Sequence, residues 1–227
     1  MDFFGTIINV FYGPSKSLVQ SCAILCLLVK VLFVTMTNKY YRLPKLSEEL
    51  QPKIDEIDKK FRHDINKRNK AVSDLLVKSE YPFLANATYY VLMMVFTVLL
   101  CICAHDPAAH VEAFDPEASL KFLMIPDVTQ YTYVYIKDTW PDIRVLLYIL
   151  LPVLACGIQF GVSTYMSGKS LVNVRWFDFV SVAATLVACT LLPPIFSICW
   201  IVFEVASIIQ ILFNLKSKTP VKASKKS

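Results

Sequence analysis

Residues 17–37 have the sequence SLVQSCAILCLLVKVLFVTMT, an apolar run of 21 residues that contains one charge, Lys30. An α-helix rises 1.5 Å per residue, so about 20 apolar residues match a bilayer core of about 30 Å, and this run predicts a transmembrane helix. A lysine inside such a helix costs about 2.5–3.5 kcal/mol on insertion-based scales. We therefore expect other parts of the chain to supply groups that compensate the charge of Lys30.

The composition of the whole chain is that of an all-α polytopic membrane protein. The chain has 227 residues, of which 56% are hydrophobic and 18% are charged, and its mean hydropathy is +0.51. These values exclude an ordinary soluble domain. All seven cysteines lie within apolar runs, which predicts free thiols rather than a disulfide framework. The first residues have neither a basic n-region nor a small-residue cleavage site, so we predict no secretory signal peptide.

Four further apolar runs give a prediction of five transmembrane helices. Proline disrupts a helix and restricts the residue before it, so Pro193-Pro194 separates the last two runs. The predicted spans are residues 16–37, 83–104, 144–165, 174–191 and 195–214.

The segments between the spans differ strongly in character. Residues 1–15 place several phenylalanines and isoleucines mostly on one face, which predicts an interfacial amphipathic helix that Gly13-Pro14 ends. Residues 38–82 show helical spacing of apolar residues over about 45–61 and 65–79, which predicts a helical hairpin. The alternative is that this charged hairpin only links two spans.

The distribution of basic residues predicts the orientation of the chain. The hairpin segment 38–82 contains eleven Lys and Arg residues, and the segment 216–227 adds five lysines. The loop 105–143 has two lysines against seven acids. The positive-inside rule therefore places the hairpin and the basic tail, residues 215–227, in the cytoplasm, and the N-terminus and the 105–143 loop outside.

Polar residues recur at helical spacing within each of the later spans. Lipid satisfies no hydrogen bond, so such a stripe faces either a bundle interior or a wet cavity. The alternative for any single serine or threonine is ordinary hydrogen bonding between helices. The stripe residues of interest are Asn86, Tyr90 and Thr97 in the second span, Gln159 in the third, Asp178 and Thr185 in the fourth, and Glu204 in the fifth.

Ionisable residues at membrane depth are functional candidates by default. Counted from the cytoplasmic ends of their helices, Lys30 and Glu204 differ in depth by about 5 Å, which a lysine side chain can span. We expect them to share a water-accessible cavity open to the cytoplasm, with a direct pair as one form of the arrangement. Asp178 lies only about one helical turn inside its span, so we expect its carboxylate to extend to the cytoplasmic interface.

No motif of an enzyme or of a nucleotide site occurs in the sequence. HExxH, GxSxG, Walker A, GxGxxG and CxxC are all absent. The three histidines are spaced unfavourably for a metal site. The glycosylation sequon at Asn86 lies at the cytoplasmic start of a span, so we expect no glycan there. We therefore expect neither an enzyme nor a bound cofactor or metal.

Three local motifs together with this layout resemble the YidC/Oxa/Alb membrane-insertase family. Leu50–Ile54 (LQPKI) is similar to the start of its hairpin, and Tyr148–Gln159 (YILLPVLACGIQ) is similar to its third span. Residues 200–202 (WIV) and 208–210 (IIQ) look like its last span. The likeness covers about residues 3–214. The chain differs in having Lys30 where the family usually has arginine, Glu204 where it often has asparagine, and no glycine-rich entry to the second span.

The resemblance implies a protein that inserts nascent membrane-protein clients into the lipid bilayer without nucleotide hydrolysis. It implies a positively charged hydrophilic groove, open to the cytoplasm, that is lined by Lys30 and the stripe residues. It also implies a multi-pass protein of a bacterial plasma membrane, with the ribosome and a Sec-type translocon as partners. The competing hypotheses are a small transporter or channel subunit that uses the intramembrane charges, and a structural subunit of a larger complex.

Overall fold

The structure is a computed structural model that describes residues 3–81, 85–105, 115, 121–122, 125–140, 142–143, 145–168, 170–171 and 175–216. Within these residues the regular secondary structure is helical, apart from one isolated bridge between Phe122 and Ile125, so the prediction of an all-α protein is confirmed. The helices are α1 (Phe3–Ser15), α2 (Leu18–Leu32), α3 (Val34–Tyr41), α4 (Leu43–Lys60), α5 (Ile65–Lys78), α6 (Ala85–His105), α7 (Thr132–Thr139), α8 (Val145–Gly168), α9 (Arg175–Leu191) and α10 (Pro194–Lys216). The tail beyond residue 216 and most of the loop 106–120 lie outside the described residues.

Helix α1 includes Gly13 and Pro14 and ends at Ser15, one residue after this dipeptide and at the end of the predicted segment 1–15. Proline removes only one amide donor here, and the chain reverses two residues later. The reversal occurs at Lys16, which has a left-handed φ of 52° and donates its backbone N–H to Tyr12 O at 2.8 Å. Ser17 then caps α2 by accepting a hydrogen bond from the backbone N–H of Gln20.

The apolar run that contains Lys30 forms two consecutive helices rather than one. Phe33, with φ −90° and ψ 9°, separates α2 from α3. The hydrogen-bond ladder nevertheless continues, because Phe33 N donates to Val29 O at 3.0 Å and Thr37 N donates to Phe33 O at 2.9 Å. The two helices are therefore joined without a break in these backbone hydrogen bonds.

The charged segment after α3 folds into two amphipathic helices, α4 and α5. Asp64 caps α5 by accepting a hydrogen bond from Lys67 N at 3.0 Å. Arg68 binds Asp58 across the turn through two hydrogen bonds of 2.6 and 2.9 Å. Leu50 and Leu76 are buried in one cluster together with residues of α8 and α10, so the apolar faces of the hairpin pack against one end of the helical bundle.

Tyr81 fastens the hairpin to the connection between α8 and α9. Its hydroxyl lies 3.4 Å from Ser47 Oγ on α4 and 3.1 Å from Ser170 Oγ. It also accepts the backbone N–H of Leu171 at 3.0 Å. One buried hydroxyl therefore joins three segments that are distant in sequence.

Helix α10 is the centre of the bundle and packs against α2, α3, α6, α8 and α9. Its first two turns, from Ile195 to Trp200, are buried on all sides. At the end of the bundle opposite the hairpin, the Tyr135 and Tyr148 rings are stacked with centroids 3.9 Å apart, and Thr132 Oγ1 donates to Leu192 O at 2.8 Å. These contacts attach α7 to the start of α8 and the end of α9.

Two described helices are long and apolar enough to cross a membrane, namely the parts of α8 and α10 at Tyr148–Gly168 and Pro194–Asn214. The described apolar segments Leu18–Leu32, Val91–Leu100 and Asp178–Leu191 are shorter. Five transmembrane helices therefore stay a prediction.

Candidate functional site

Lys30 is enclosed by the protein near the end of α2, with 5% of its surface exposed. Its Nζ donates a hydrogen bond to Ser207 Oγ on α10 at 2.9 Å and another to Tyr41 Oη on α3 at 3.3 Å. Ser207 Oγ in turn donates to the backbone carbonyl of Phe203 at 2.8 Å. The ammonium group is thus held between three helices by polar groups that belong to the bundle itself.

Glu204 lies one helical turn before Ser207 and is 3% exposed. Residues three apart on a helix share a face, so its carboxylate is directed to the same side of α10 as Ser207. It interacts electrostatically with Lys30. Among the described residues, no donor lies within hydrogen-bond distance of Glu204 Oε2. A buried carboxylate of this kind is stabilised by a neighbouring cation, and Lys30 supplies one.

A cluster of amides closes the bundle on the hairpin side of Lys30. Gln210 Nε2 on α10 donates to Asn38 Oδ1 at 2.7 Å and to Thr37 Oγ1 at 2.9 Å, both on α3. Asn214 Nδ2 also donates to Asn38 Oδ1, at 3.2 Å. Sequence reasoning did not single out this cluster, although Gln210 and Asn214 continue the polar spacing of Glu204 and Ser207 along α10.

Gln159 joins three helices at the centre of the bundle. It is buried on α8, accepts a hydrogen bond from Trp200 Nε1 on α10 at 3.1 Å, and donates to Ser181 Oγ on α9 at 3.4 Å. Ser181 Oγ donates to the backbone carbonyl of Asp178 at 2.8 Å. This chain of hydrogen bonds satisfies both ends of the Gln159 amide inside the apolar core.

A cavity of about 280 Å³ lies beside Gln159, between α6, α8, α9 and α10. Thr185 lines it, and no described group lies within hydrogen-bond distance of its buried Oγ1. Val91 and Val95 of α6 and Val180 of α9 also line the cavity and are exposed on the outer surface. The cavity therefore has a mainly apolar lining, to which Gln159, Ser181 and Thr185 add polar side chains.

The eight candidate groove residues separate into groups in the structure. Lys30 and Glu204 interact with each other, but they are not among the residues that line the Gln159 cavity. Thr97 is buried and donates to the Met93 carbonyl of its own helix at 2.8 Å. The side chains of Asn86 and Tyr90 lie outside the described part of α6.

Asp178 lies in the first turn of α9 and is 8% exposed, with its carboxylate directed to α8. Ser167 Oγ of α8 donates a hydrogen bond to Asp178 Oδ2. Ser167 lies in the last turn of α8, and the expectation that the Asp178 carboxylate extends to the cytoplasmic interface stays a prediction. An acidic group in the first turn is favoured by the helix dipole, and the neighbouring serine gives it a donor within the protein.

Metal ligands are not grouped in this part of the molecule. Among the described residues, no three His, Cys, Asp or Glu side chains lie close enough together to hold a metal ion.

Helices α6 and α9 expose apolar side chains on the outer surface of the bundle. These side chains are Val91, Val95 and Leu99 on α6 and Val180 and Val187 on α9.

Comparison with known proteins identifies the family. The family model described as "60Kd inner membrane protein" matches residues 10–222. "Membrane protein insertase YidC" of Geotalea daltonii is 37% identical over 68 residues, which are 30% of this chain and 13% of that protein. The proteins of the same name from Rickettsia typhi and Geotalea uraniireducens are 35% identical over 72 residues and 34% identical over 68 residues. These matches cover 32% and 30% of this chain and 13% of each relative.

The matched segments are thus short relative to these three proteins, whereas the family model extends over nearly the whole chain. A match of that extent is sufficient to assign membership. The chain belongs to the 60Kd inner membrane protein family, the YidC/Oxa family of membrane insertases that its sequence resembles.

Proposed function

We propose that this protein inserts client membrane proteins into the lipid bilayer through a polar groove centred on Lys30. The observation that supports this best is the burial of Lys30 within an apolar helix. A charge in such a helix is costly, so an ionisable residue there usually marks a functional site. Family membership supports membrane-protein insertion as the general activity.

In the proposed topology the chain crosses the membrane five times, with its N-terminus outside and its C-terminus in the cytoplasm. Helices α2 and α3 together form the first span, and α6, α8, α9 and α10 form the others. The eleven Lys and Arg residues of the 38–82 segment support a cytoplasmic hairpin. A bacterial plasma membrane is the proposed location.

The proposed mechanism divides the client between two surfaces. Lys30 attracts the polar, often acidic, outer segment of the client, while Asn86, Tyr90, Thr97, Gln159, Asp178, Thr185 and Glu204 line its polar path. The apolar client helix leaves along the exposed valines of α6 and α9. Burial of about 20 apolar residues in lipid supplies the free energy, so no nucleotide is required.

The basic segments are the proposed contacts with the translation machinery. Lysines of the hairpin and of the tail bind phosphate groups of the ribosome or of anionic lipids through salt-sensitive electrostatics. A Sec-type translocon is the proposed partner for clients with longer outer segments. Loss of ribosome binding on deletion of the tail, together with a strong salt dependence, is the expected result. Binding that is insensitive to both changes contradicts this part of the proposal.

The test of the main proposal is complementation in cells depleted of their own insertase. Wild type and Lys30→Arg are expected to restore growth and client insertion, and Lys30→Ala is expected to fail at equal protein levels in the membrane. Rescue by Lys30→Ala that equals wild type would show that insertion does not depend on this charge. Failure of the well-expressed wild type with several clients of different outer charge would contradict insertion itself.

A further inference from the structure

Among the described residues, one basic side chain, Lys30, and two acidic side chains, Asp178 and Glu204, are buried inside the bundle. Asp178 is bound to Ser167 at the start of α9, whereas Glu204 lies one helical turn before Ser207, which accepts a hydrogen bond from Lys30 Nζ at 2.9 Å. Lys30 and Glu204 therefore form a buried pair with no net formal charge. A groove that contained Lys30 alone would have one positive charge at the same place.

We propose that Glu204 determines client specificity by occupying, within the protein, the position that an acidic client group would take near Lys30. This inference rests on the proposed insertase function. An acidic outer segment of a client must compete for Lys30 with the Glu204 carboxylate, which is covalently part of the same protein and therefore always nearby. The protein therefore discriminates little between acidic and uncharged outer segments, and its clients include segments with few or no acidic residues.

The geometry supports a counter-ion that competes, rather than one that is locked in a bridge. The hydrogen bonds described for Lys30 Nζ go to Ser207 Oγ and Tyr41 Oη, both neutral groups. Glu204 Oε2 has no donor among the described residues. Because no described donor holds Glu204 Oε2 in place, a client carboxylate that approaches Lys30 can displace this side chain.

The test uses two single-span clients that differ only in a short outer segment, which has two aspartates in one client and two asparagines in the other. The full chain is reconstituted in vesicles of phosphatidylethanolamine and phosphatidylglycerol, and insertion is measured as the protease-protected client fragment. For wild type we expect similar rates for both clients. Glu204→Gln is expected to raise the ratio of acidic to neutral insertion about tenfold, which corresponds to about 1.4 kcal/mol.

Two controls isolate the charge at this position. Glu56→Gln makes the same change in net charge at an exposed position on α4 and is expected to leave the ratio at its wild-type value. The double variant Lys30→Gln with Glu204→Gln removes both charges, so any insertion that remains is expected to show no preference for the acidic client. Glu204→Asn removes the same charge with one methylene fewer and is used if Glu204→Gln does not accumulate.

The possible failures are distinguishable. If wild type inserts both clients and Glu204→Gln leaves their ratio unchanged, Glu204 does not set specificity and the insertase function stands. If neither Glu204→Gln nor Glu204→Asn reaches the membrane, Glu204 acts in stability and the inference is overturned. If wild type inserts neither client, the proposed function is wrong and the inference falls with it.

Discussion

Tyr81→Phe tests whether one hydroxyl holds the hairpin against the bundle. The variant keeps the ring and removes contacts at 3.0 and 3.1 Å to Leu171 N and Ser170 Oγ, and a longer one at 3.4 Å to Ser47 Oγ. Two hydrogen bonds of ordinary length contribute about 1 kcal/mol each, so we expect a loss of about 2 kcal/mol in docking free energy. That loss raises the undocked population about 30-fold, because each 1.4 kcal/mol is a factor of ten.

The docked state can be measured through Leu76, which is buried between α5 and the bundle. A Leu76→Cys reporter is placed in the wild-type and Tyr81→Phe backgrounds, and its reaction with a membrane-impermeant maleimide is followed. When opening and closing are fast, the labelling rate is proportional to the open population. Tyr165→Phe removes the hydroxyl of an exposed tyrosine and is the matched control. Equal labelling rates in all three backgrounds would refute the assignment of Tyr81 as the docking contact.

Three further predictions concern other polar contacts. Gln159→Leu leaves the indole N–H of Trp200 without its acceptor and is expected to cost about 1–3 kcal/mol, measured by denaturation in micelles, whereas an unchanged midpoint would contradict this role. Gln210→Leu breaks the amide cluster between α3 and α10 and is expected to lower the stability of the protein by about 1–3 kcal/mol in the same assay. An unchanged stability would show that this cluster does not hold the two helices together. Hydrogen bonds from Arg68 hold the pKa of the Asp58 carboxyl below its usual value. The stability that this pair contributes is therefore fully present above the usual carboxyl pKa, and it is lost as the pH falls through the lowered pKa of Asp58. Arg68→Gln is expected to raise the Asp58 pKa back to the usual range in a carbon-13 NMR titration, and an unmoved titration would exclude Arg68 as the cause.

The sequence predicts the helical class and the unusual position of Lys30, because both depend on local composition and on the energy of a charge in lipid. It also indicates that Lys30 and Glu204 lie at similar depth, since depth follows from the count of residues along a helix. It does not indicate that Tyr41 binds Lys30. That contact joins two helices that meet at Phe33, a junction that no residue type in the apolar run reveals.

The contacts that sequence reasoning missed are made by residues whose partners are distant in the chain. Tyr81 and Gln210 are polar residues next to apolar runs, and nothing in their spacing identifies Ser170 or Asn38 as a partner. The sequence indicates only the depth of Asp178 along α9, whereas its contact with Ser167 depends on the neighbouring helix α8.

The central position of α10 has a consequence for the biosynthesis of the protein itself. Ribosomes synthesise Lys30 early in translation and add Glu204 and Ser207 late. More than three quarters of the chain is therefore made before Glu204, the counter-ion of Lys30, is present. Until then Lys30 on α2 lacks Ser207 and Glu204, and α2, α6 and α8 lack the part of their packing surface that α10 supplies. Assembly must therefore finish after the last span is released, so a stop codon that removes only α10 would leave a chain that lacks the central helix of its bundle.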